Sequence, residues 1–251
     1  MDVQIFQLIE GASKASGLAI IIDVFRAFSV DCYLFQNGAA KIIPVGRIED
    51  AYRLKEKNPG YILMGERKET IQPGFDFGNS PTQIMDVDFT GKTIVQSTSA
   101  GTQGIVNAEG ADEVLTGSFV NAAAIIRHIL QKRPEKVSLV AMGYAGHTPS
   151  DEDLMLAEYI KQSLEKAINS SRENAFYQHP EISFTYDNQQ FDLQRMKSYL
   201  KKGSGKRFFL PENQEKSPES DFELCLTPNQ VDFIIQANKA GAGFVLEKIK
   251  V

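Results

Sequence analysis

LAIIIDVFRAFSVDCYLFQNGAAKIIPV, residues 18–45, carries the pattern that decides the fold. It opens on an apolar run, Leu18 to Ile22, that reads as a strand buried on both faces. Asp23-Val24-Phe25-Arg26 then break the run with two charges. Residues 28–37 follow as an amphipathic helix stopped by Gly38, and 41–45 form a second short apolar run. Strand, helix and strand in close succession imply parallel pairing through a right-handed crossover.

The same alternation runs outward in both directions. Strands are expected at 3–8, 18–22, 41–45, 61–64, 93–96, 113–116, 137–142 and 243–249, with helical patterns at 28–37, 48–57, near 81–85, 102–108, 120–132 and 151–168. The last of these places Ala157, Ile160, Leu164 and Ile168 on one face. This is the signature of an α/β fold, a three-layer α/β/α arrangement on a mostly parallel sheet. Beyond 168 the pattern loosens: 169–180 and 203–220 are polar and rich in turn formers, with helices expected near 192–201 and 230–239. The expected organisation is a core over residues 1–168 carrying most site residues, with a smaller C-terminal lobe over 169–251 packed on it.

Composition narrows the function classes. The 27 basic and 32 acidic side chains of this 251-residue chain leave a net charge of −5. Without a basic surplus, DNA or RNA is not an expected partner. The longest apolar runs, such as 18–22 and 122–126, are far short of the roughly 18 residues of a membrane span. The opening MDVQIFQLIEGAS has neither the charge nor the apolar stretch of a signal peptide. Cys32 and Cys225 are too few for a disulfide scaffold or a zinc site, and Asn169-Ser170-Ser171 reads as a loop rather than a glycosylation acceptor. The expectation is a soluble cytoplasmic protein, for which the size leaves a homodimer open.

In an open parallel sheet, ligands gather at the carboxyl ends of the strands. Five expected strands end in small, hydroxylated or charged residues: Asp23 and Arg26; Glu66 and Arg67; Ser97-Thr98-Ser99-Ala100-Gly101-Thr102; Ser118 and Asn121; and 143–147 followed by Ser150-Asp151-Glu152-Asp153. All are expected on one edge. Residues 97–102 have the composition of an oxyanion cradle, or of an ordinary strand-to-helix turn. The two acid–arginine pairs read as a metal or acid–base group beside an anion clamp, or as structural ion pairs. The acids at 151–153 stabilise a helix start through its dipole, with Asp153 at a capping-box position, or supply a ligand to a hard cation. In the basic cluster Lys197, Lys201, Lys202, Lys206 and Arg207, the last could fold back over the site to meet an anion. His128 and His179 read as structural, and His147 lies on the site side. Gly91-Lys92-Thr93 lacks the glycine spacing of a P-loop, and no GxGxxG follows a strand. Asp86-Val87-Asp88-Phe89-Thr90 resembles a haloacid-dehalogenase nucleophile motif without its preceding strand, a minor alternative.

In order, IIDVFRAFS (21–29), GERKETIQPGFDFGNSP (65–81), STSAGT (97–102), GSFVNA (117–122) and SDED (150–153) resemble the 2-phosphosulfolactate phosphatase family. Residues 221–225 resemble its late strand running from an acid to a cysteine. The resemblance implies an α/β fold and Mg²⁺-dependent hydrolysis of 2-phosphosulfolactate to sulfolactate and phosphate, in coenzyme M biosynthesis. It also implies motif positions at Asp23, Arg26, Glu66, Arg67, Asp76, Asn79, residues 97–102, Ser118, Asn121 and 151–153. On that basis Asp23, Arg26, Glu66 and Arg67 are expected to be catalytic, with metal ligands drawn from Asp23, Glu66, Asp76 and Glu152. Asn79, Ser97, Thr98, Ser99, Gly101, Thr102, Ser118, Asn121 and Arg207 are expected to meet a small anionic substrate. Phe25, Phe28 and Ser99-Ala100 depart from the family pattern. They leave open another phosphorylated hydroxy acid as substrate, or a binder of anionic metabolites without turnover.

Overall fold

A computed structural model describes residues 1–169, 181–241 and 243–251. The strands are β1 (Asp2–Gln7), β2 (Gly17–Ile22), β3 (Lys41–Pro44), β4 (Ile62–Gly65), β5 (Thr93–Ser97), β6 (Ala111–Gly117), β7 (Lys136–Ala141), β8 (Ser183–Tyr186), β9 (Gln189–Asp192), β10 (Phe233–Ala240) and β11 (Gly243–Lys250). The helices are α1 (Leu8–Ala12), α2 (Ala27–Gln36), α3 (Ile48–Lys57), α4 (Gly101–Asn107), α5 (Ala122–Lys132), α6 (Asp151–Asn169), α7 (Leu193–Leu200) and α8 (Glu219–Leu226). Nine strands form the main sheet in the order β1-β7-β2-β6-β10-β11-β3-β5-β4, and β8 and β9 form a separate hairpin. The class is therefore α/β on a mostly parallel sheet. Among the described residues, no helix is long and apolar enough to cross a membrane.

Period-two alternation sorts the helices into layers. Along β2, Leu18, Ile20 and Ile22 join the apolar cluster under α5 and α6, while Ala19 and Ile21 join the one under α1, α2 and α4. On β5, Ile94 faces the α2 and α4 side and Val95 faces Ala51 of α3. Both faces of the sheet are thus covered.

The parallel pairing expected of the opening strand–helix–strand unit does not form. β2 pairs with β6 and β7, whereas β3 pairs with β5 and β11. Helix α2 carries the chain from one parallel block, β1-β7-β2-β6, to the other, β3-β5-β4. Between the blocks lie three antiparallel pairings: β6 with β10, β10 with β11, and β11 with β3. An odd number of reversals makes the blocks run in opposite senses, so their carboxyl ends do not share one edge. They approach each other because twist accumulates from strand to strand and both blocks pack on the same helices. Met64 of β4, Ile94 of β5, Ile21 of β2 and Val140 of β7 all lie in the cluster around α2 and α4. Gly104 of α4 shows how close that packing is: a Cβ there would stand 2.5 Å from Ile21 and from the Met142 sulfur.

The C-terminal portion departs most from the sequence expectation. The helix expected near 230–239 is strand β10, whose Ile234 and Ile235 are buried on opposite faces. The late strand expected at 221–225 is instead helix α8, entered from Pro218 with Glu219 and Asp221 in its first turn. The β8–β9 hairpin went unread, although its two-residue turn, Asp187-Asn188, has the positive φ values (47° and 58°) that tight hairpins favour. Of the expected smaller lobe, the β8–β9 hairpin, α7 and α8 lie outside the main sheet, and β10 and β11 lie within it. Most of the loop expected at 169–180 falls outside the described residues. Deleting residues 229–251 should therefore leave no intact core over 1–168. Urea denaturation followed by far-UV circular dichroism is expected to show loss of a cooperative transition.

Candidate active site

Four strand ends converge on a pocket of about 320 Å³. Asp23, Phe25 and Arg26 arrive from β2; Glu66, Lys68 and Glu69 from β4; Ser99 and Ala100 from β5; and Gly143, Tyr144 and Ala145 from β7. Asn79 follows from the loop past β4, Glu152 from the first turn of α6, and Arg207 from the 3-10 stretch Ser204–Phe209. Arg207 does fold back over the site, as the basic cluster allowed. The end of β6 does not take part: Ser118 and Asn121 are wholly buried and cap each other reciprocally at the next turn.

The carboxylates set the electrostatics. Asp23 is 5% exposed and accepts from the Ala27 N–H at 3.2 Å. Burial, with the charges of Glu66 and Glu152 added, pushes its pKa up to about 7. Gly101 closes on it so tightly that a Cβ there would lie 2.9 Å from Asp23 Oδ2. Burial also raises the Glu152 pKa, and Glu152 Oε2 is buried with no hydrogen-bond partner. Asp153 does not cap its own helix. Its two oxygens accept from the Val24 and Gly143 N–H groups, both at 2.8 Å, which ties the β2 and β7 loops together. Burial, then Glu152 and Asp23, push its pKa up as well.

The expected oxyanion cradle is already filled by the protein itself. Glu66 accepts from the Ser99 N–H at 2.8 Å, the Ser99 hydroxyl at 3.1 Å and the Glu69 N–H at 2.8 Å. The Thr98 and Thr102 hydroxyls each accept from the other residue's N–H, and the Ser97 hydroxyl donates to the Val45 carbonyl at 3.0 Å. These four hydroxyl-bearing residues build the turn, and of them only Ser99 reaches the pocket.

The arginines divide in the same way. Arg67 donates to the carbonyls of Glu66 and Gly46 and to Ser97 Oγ, at 2.8, 3.0 and 2.6 Å, and does not line the pocket. It braces the β4 and β5 loops. Arg26 is held by Asp221 at 2.7 Å and the Lys216 carbonyl at 2.8 Å, and it does line the pocket. Asp76 is also not part of the cluster: its carboxylate is exposed, accepts from the Leu63 N–H and pairs with Lys55 at 3.4 Å. Asn79 lines the pocket with a buried, unpartnered Oδ1. His147 and Asp86 are exposed and do not line it, His128 bonds Glu113, and His179 lies outside the described residues. The haloacid-dehalogenase alternative loses its nucleophile on this ground.

Sequence reasoning missed Lys68, Glu69 and Tyr144, and it missed that Asp153 is a clamp. Lys68 and Glu69 stand inside the quoted 65–81 motif, and both have positive φ, 51° and 61°. That conformation turns this segment over the pocket, and no residue-type pattern announces it.

The four metal candidates do not assemble as a set. Among the described residues, no three His, Cys, Asp or Glu side chains are grouped to hold a metal. Glu66 is occupied by N–H and O–H donors and Asp76 is elsewhere, which leaves Asp23 and Glu152. Two carboxylates suit Mg²⁺, which usually takes one or two with waters and phosphate oxygens. The unpartnered Glu152 Oε2 and the burial that raises both pKa values suit these two carboxylates to a cation.

Fold and pocket together define an α/β protein whose strand ends bring buried carboxylates together with Arg26, Lys68 and Arg207 around one pocket. Residues 3–240 match the family model described as 2-phosphosulpholactate phosphatase. The chain belongs to that family, whose name denotes phosphoric monoester hydrolases. Relatives bearing the name "Probable 2-phosphosulfolactate phosphatase" include one from Bacillus subtilis, 33% identical over 66% of this chain and 72% of that protein. One from Clostridium perfringens strain SM101 is 29% identical over 97% of this chain and 95% of its own length. A third, from Thermotoga petrophila, is 37% identical over 59% and 63% respectively.

A carboxyl whose pKa is higher folded than unfolded stabilises the fold while protonated, and that contribution is lost as pH rises through the folded value. In chelator, Asp23→Asn should therefore gain stability relative to wild type as pH rises from about 4 to about 7, with a constant difference above. Urea midpoints measured across that range check this.

Proposed function

We propose that this chain is a Mg²⁺-dependent phosphatase that hydrolyses 2-phosphosulfolactate to sulfolactate and phosphate. The observation that carries the reading is the meeting of buried carboxylates and cationic side chains in one pocket. Its lining holds Asp23, Glu66, Glu69 and Glu152 against Arg26, Lys68 and Arg207. Asp23 and Glu152 offer a cation two carboxylates beside side chains suited to a phosphorylated acid, and the family name describes enzymes acting on one.

Asp23 and Glu152 would hold the metal. Mg²⁺ held there would supply charge neutralisation for a transferring phosphoryl group and a more acidic water. The chain's own residues do the rest. Asp23 gives up the proton that burial makes it keep near neutral pH. Arg26 is fixed by Asp221, which itself accepts from the Ser80 hydroxyl at 2.8 Å and the Thr82 N–H at 3.0 Å. Its guanidinium is thus aimed before substrate arrives, which suits oxyanion recognition. Arg207 and Lys68 rim the pocket where the carboxylate or sulfonate of the substrate would sit; among the described residues Lys68 makes no ion pair. Glu66, by holding Ser99 and Glu69, shapes the wall without touching the reacting atoms. A cytoplasmic location belongs to the same reading, supported by two cysteines that are both buried and unpaired.

Phosphate release from 2-phosphosulfolactate is the test. Release is expected with Mg²⁺, should stop in chelator, and should fall by about a hundredfold or more in Asp23→Asn and Glu152→Gln. Turnover unaffected by both substitutions in folded protein would sink the assignment. Mg²⁺ affinity should rise by roughly tenfold per pH unit up to about 7 and then level off, since the metal must displace the Asp23 proton; calorimetry reads this. Arg67→Gln should lower the melting temperature with little change in KM, whereas Arg207→Gln should raise KM.

A further inference from the structure

Arg207 is anchored by contacts of two kinds. One kind is fixed: a hydrogen bond to the Phe25 carbonyl at 3.0 Å, and stacking over the rings of Phe208 and Tyr144 at 5.1 and 5.7 Å. The other is a single carboxylate, Glu69, whose Oε1 accepts from the guanidinium at 2.7 Å. Both side chains line the pocket, at 18% and 25% exposure. Glu69 reaches this position because its own N–H donates to Glu66 and its backbone adopts φ 61°. The guanidinium Nε is buried and has no partner at all. An unmatched buried donor is costly, and here it belongs to a planar cation suited to binding two oxygens of one anion.

We propose that Glu69 stands in for an acid group of the substrate other than its phosphate, a carboxylate or sulfonate, pairing with Arg207 until that group displaces it, and so determines specificity. The inference rests on the phosphatase reading above and adds to it a competitor built into the site. The three fixed contacts keep Arg207 in place when Glu69 leaves, so the exchange swaps one acid for another on a preorganised cation. An anion that also meets Nε would satisfy a donor that Glu69 leaves unmatched. A phosphate monoester without a second acid group has nothing to offer Arg207 and leaves the pair closed.

The test is calorimetric binding of sulfolactate to the full chain, with wild-type phosphate release from 2-phosphosulfolactate measured alongside. Glu69→Gln is expected to bind sulfolactate about fivefold more tightly than wild type, the size of a partly exposed ion pair. Glu69→Asp should show the same gain, because its carboxylate is too short to reach Arg207. In an Arg207→Gln background neither substitution should change affinity. A gain of affinity is something a damaged fold does not produce. Unchanged or weaker binding in both Glu69 variants overturns the proposal. So does a gain confined to Gln or one that persists without Arg207, either of which would be a general charge effect. Phosphate release by wild type without the gain sinks the exchange alone. The Arg207-dependent gain without phosphate release sinks the substrate assignment alone.

Discussion

Between β6 and β3 the main sheet reverses direction three times, and the hairpin responsible, β10–β11, follows every other strand of the sheet in sequence. The two parallel blocks can share a site only because of this inversion combined with twist. Had the chain formed one continuous parallel sheet, the ends of β2 and β4 would lie along a single edge with several strands between them. Instead the blocks fold toward each other over α2 and α4, and Asp23 comes within electrostatic range of Glu66. The acid cluster is a product of topology as much as of motif.

A second economy operates inside the loops. Many of the polar groups that look like ligand binders in the sequence are consumed by the protein. Glu66 occupies the turn that would otherwise cradle an anion, Arg67 ties carbonyls together, and Ser118 with Asn121 closes a cap. These contacts are what backbone N–H and C=O groups in a buried loop require. What remains unsatisfied is therefore informative. Glu152 Oε2, Asn79 Oδ1 and Arg207 Nε are buried without partners on residues that all face one pocket.

The alternation of apolar runs made the class of fold legible, and long amphipathic elements such as 48–57 and 151–168 emerged nearly as read. Local pattern did not disclose which strand neighbours which. The β2–α2–β3 segment has every mark of a parallel crossover and is not one, because pairing is decided by distant residues such as Leu246, which sits opposite Ile42. The segment at 230–239 misled for a related reason: a strand buried on both faces has no alternation, and short apolar runs fit either structure. At the site, Asp23, Arg26, Glu66, Asn79, Ser99, Glu152 and Arg207 were all visible as candidates. The division between those that face the pocket and those that brace it was not, since acid, arginine and hydroxyl serve both purposes. Asp153 shows the limit well. Its position three residues into a helix predicts a cap, yet it reaches across to Val24 and Gly143.

The place of the last hairpin also bears on how the molecule is made. Synthesis proceeds from the N-terminus at roughly 5–20 residues per second, and both parallel blocks emerge before β10 and β11 do. During that interval β6 and β3 present unpaired edges, the kind of surface that invites pairing with other chains. The nascent protein must wait, half assembled, for β10 and β11 to join its halves. Until they do, the chain is most exposed to aggregation.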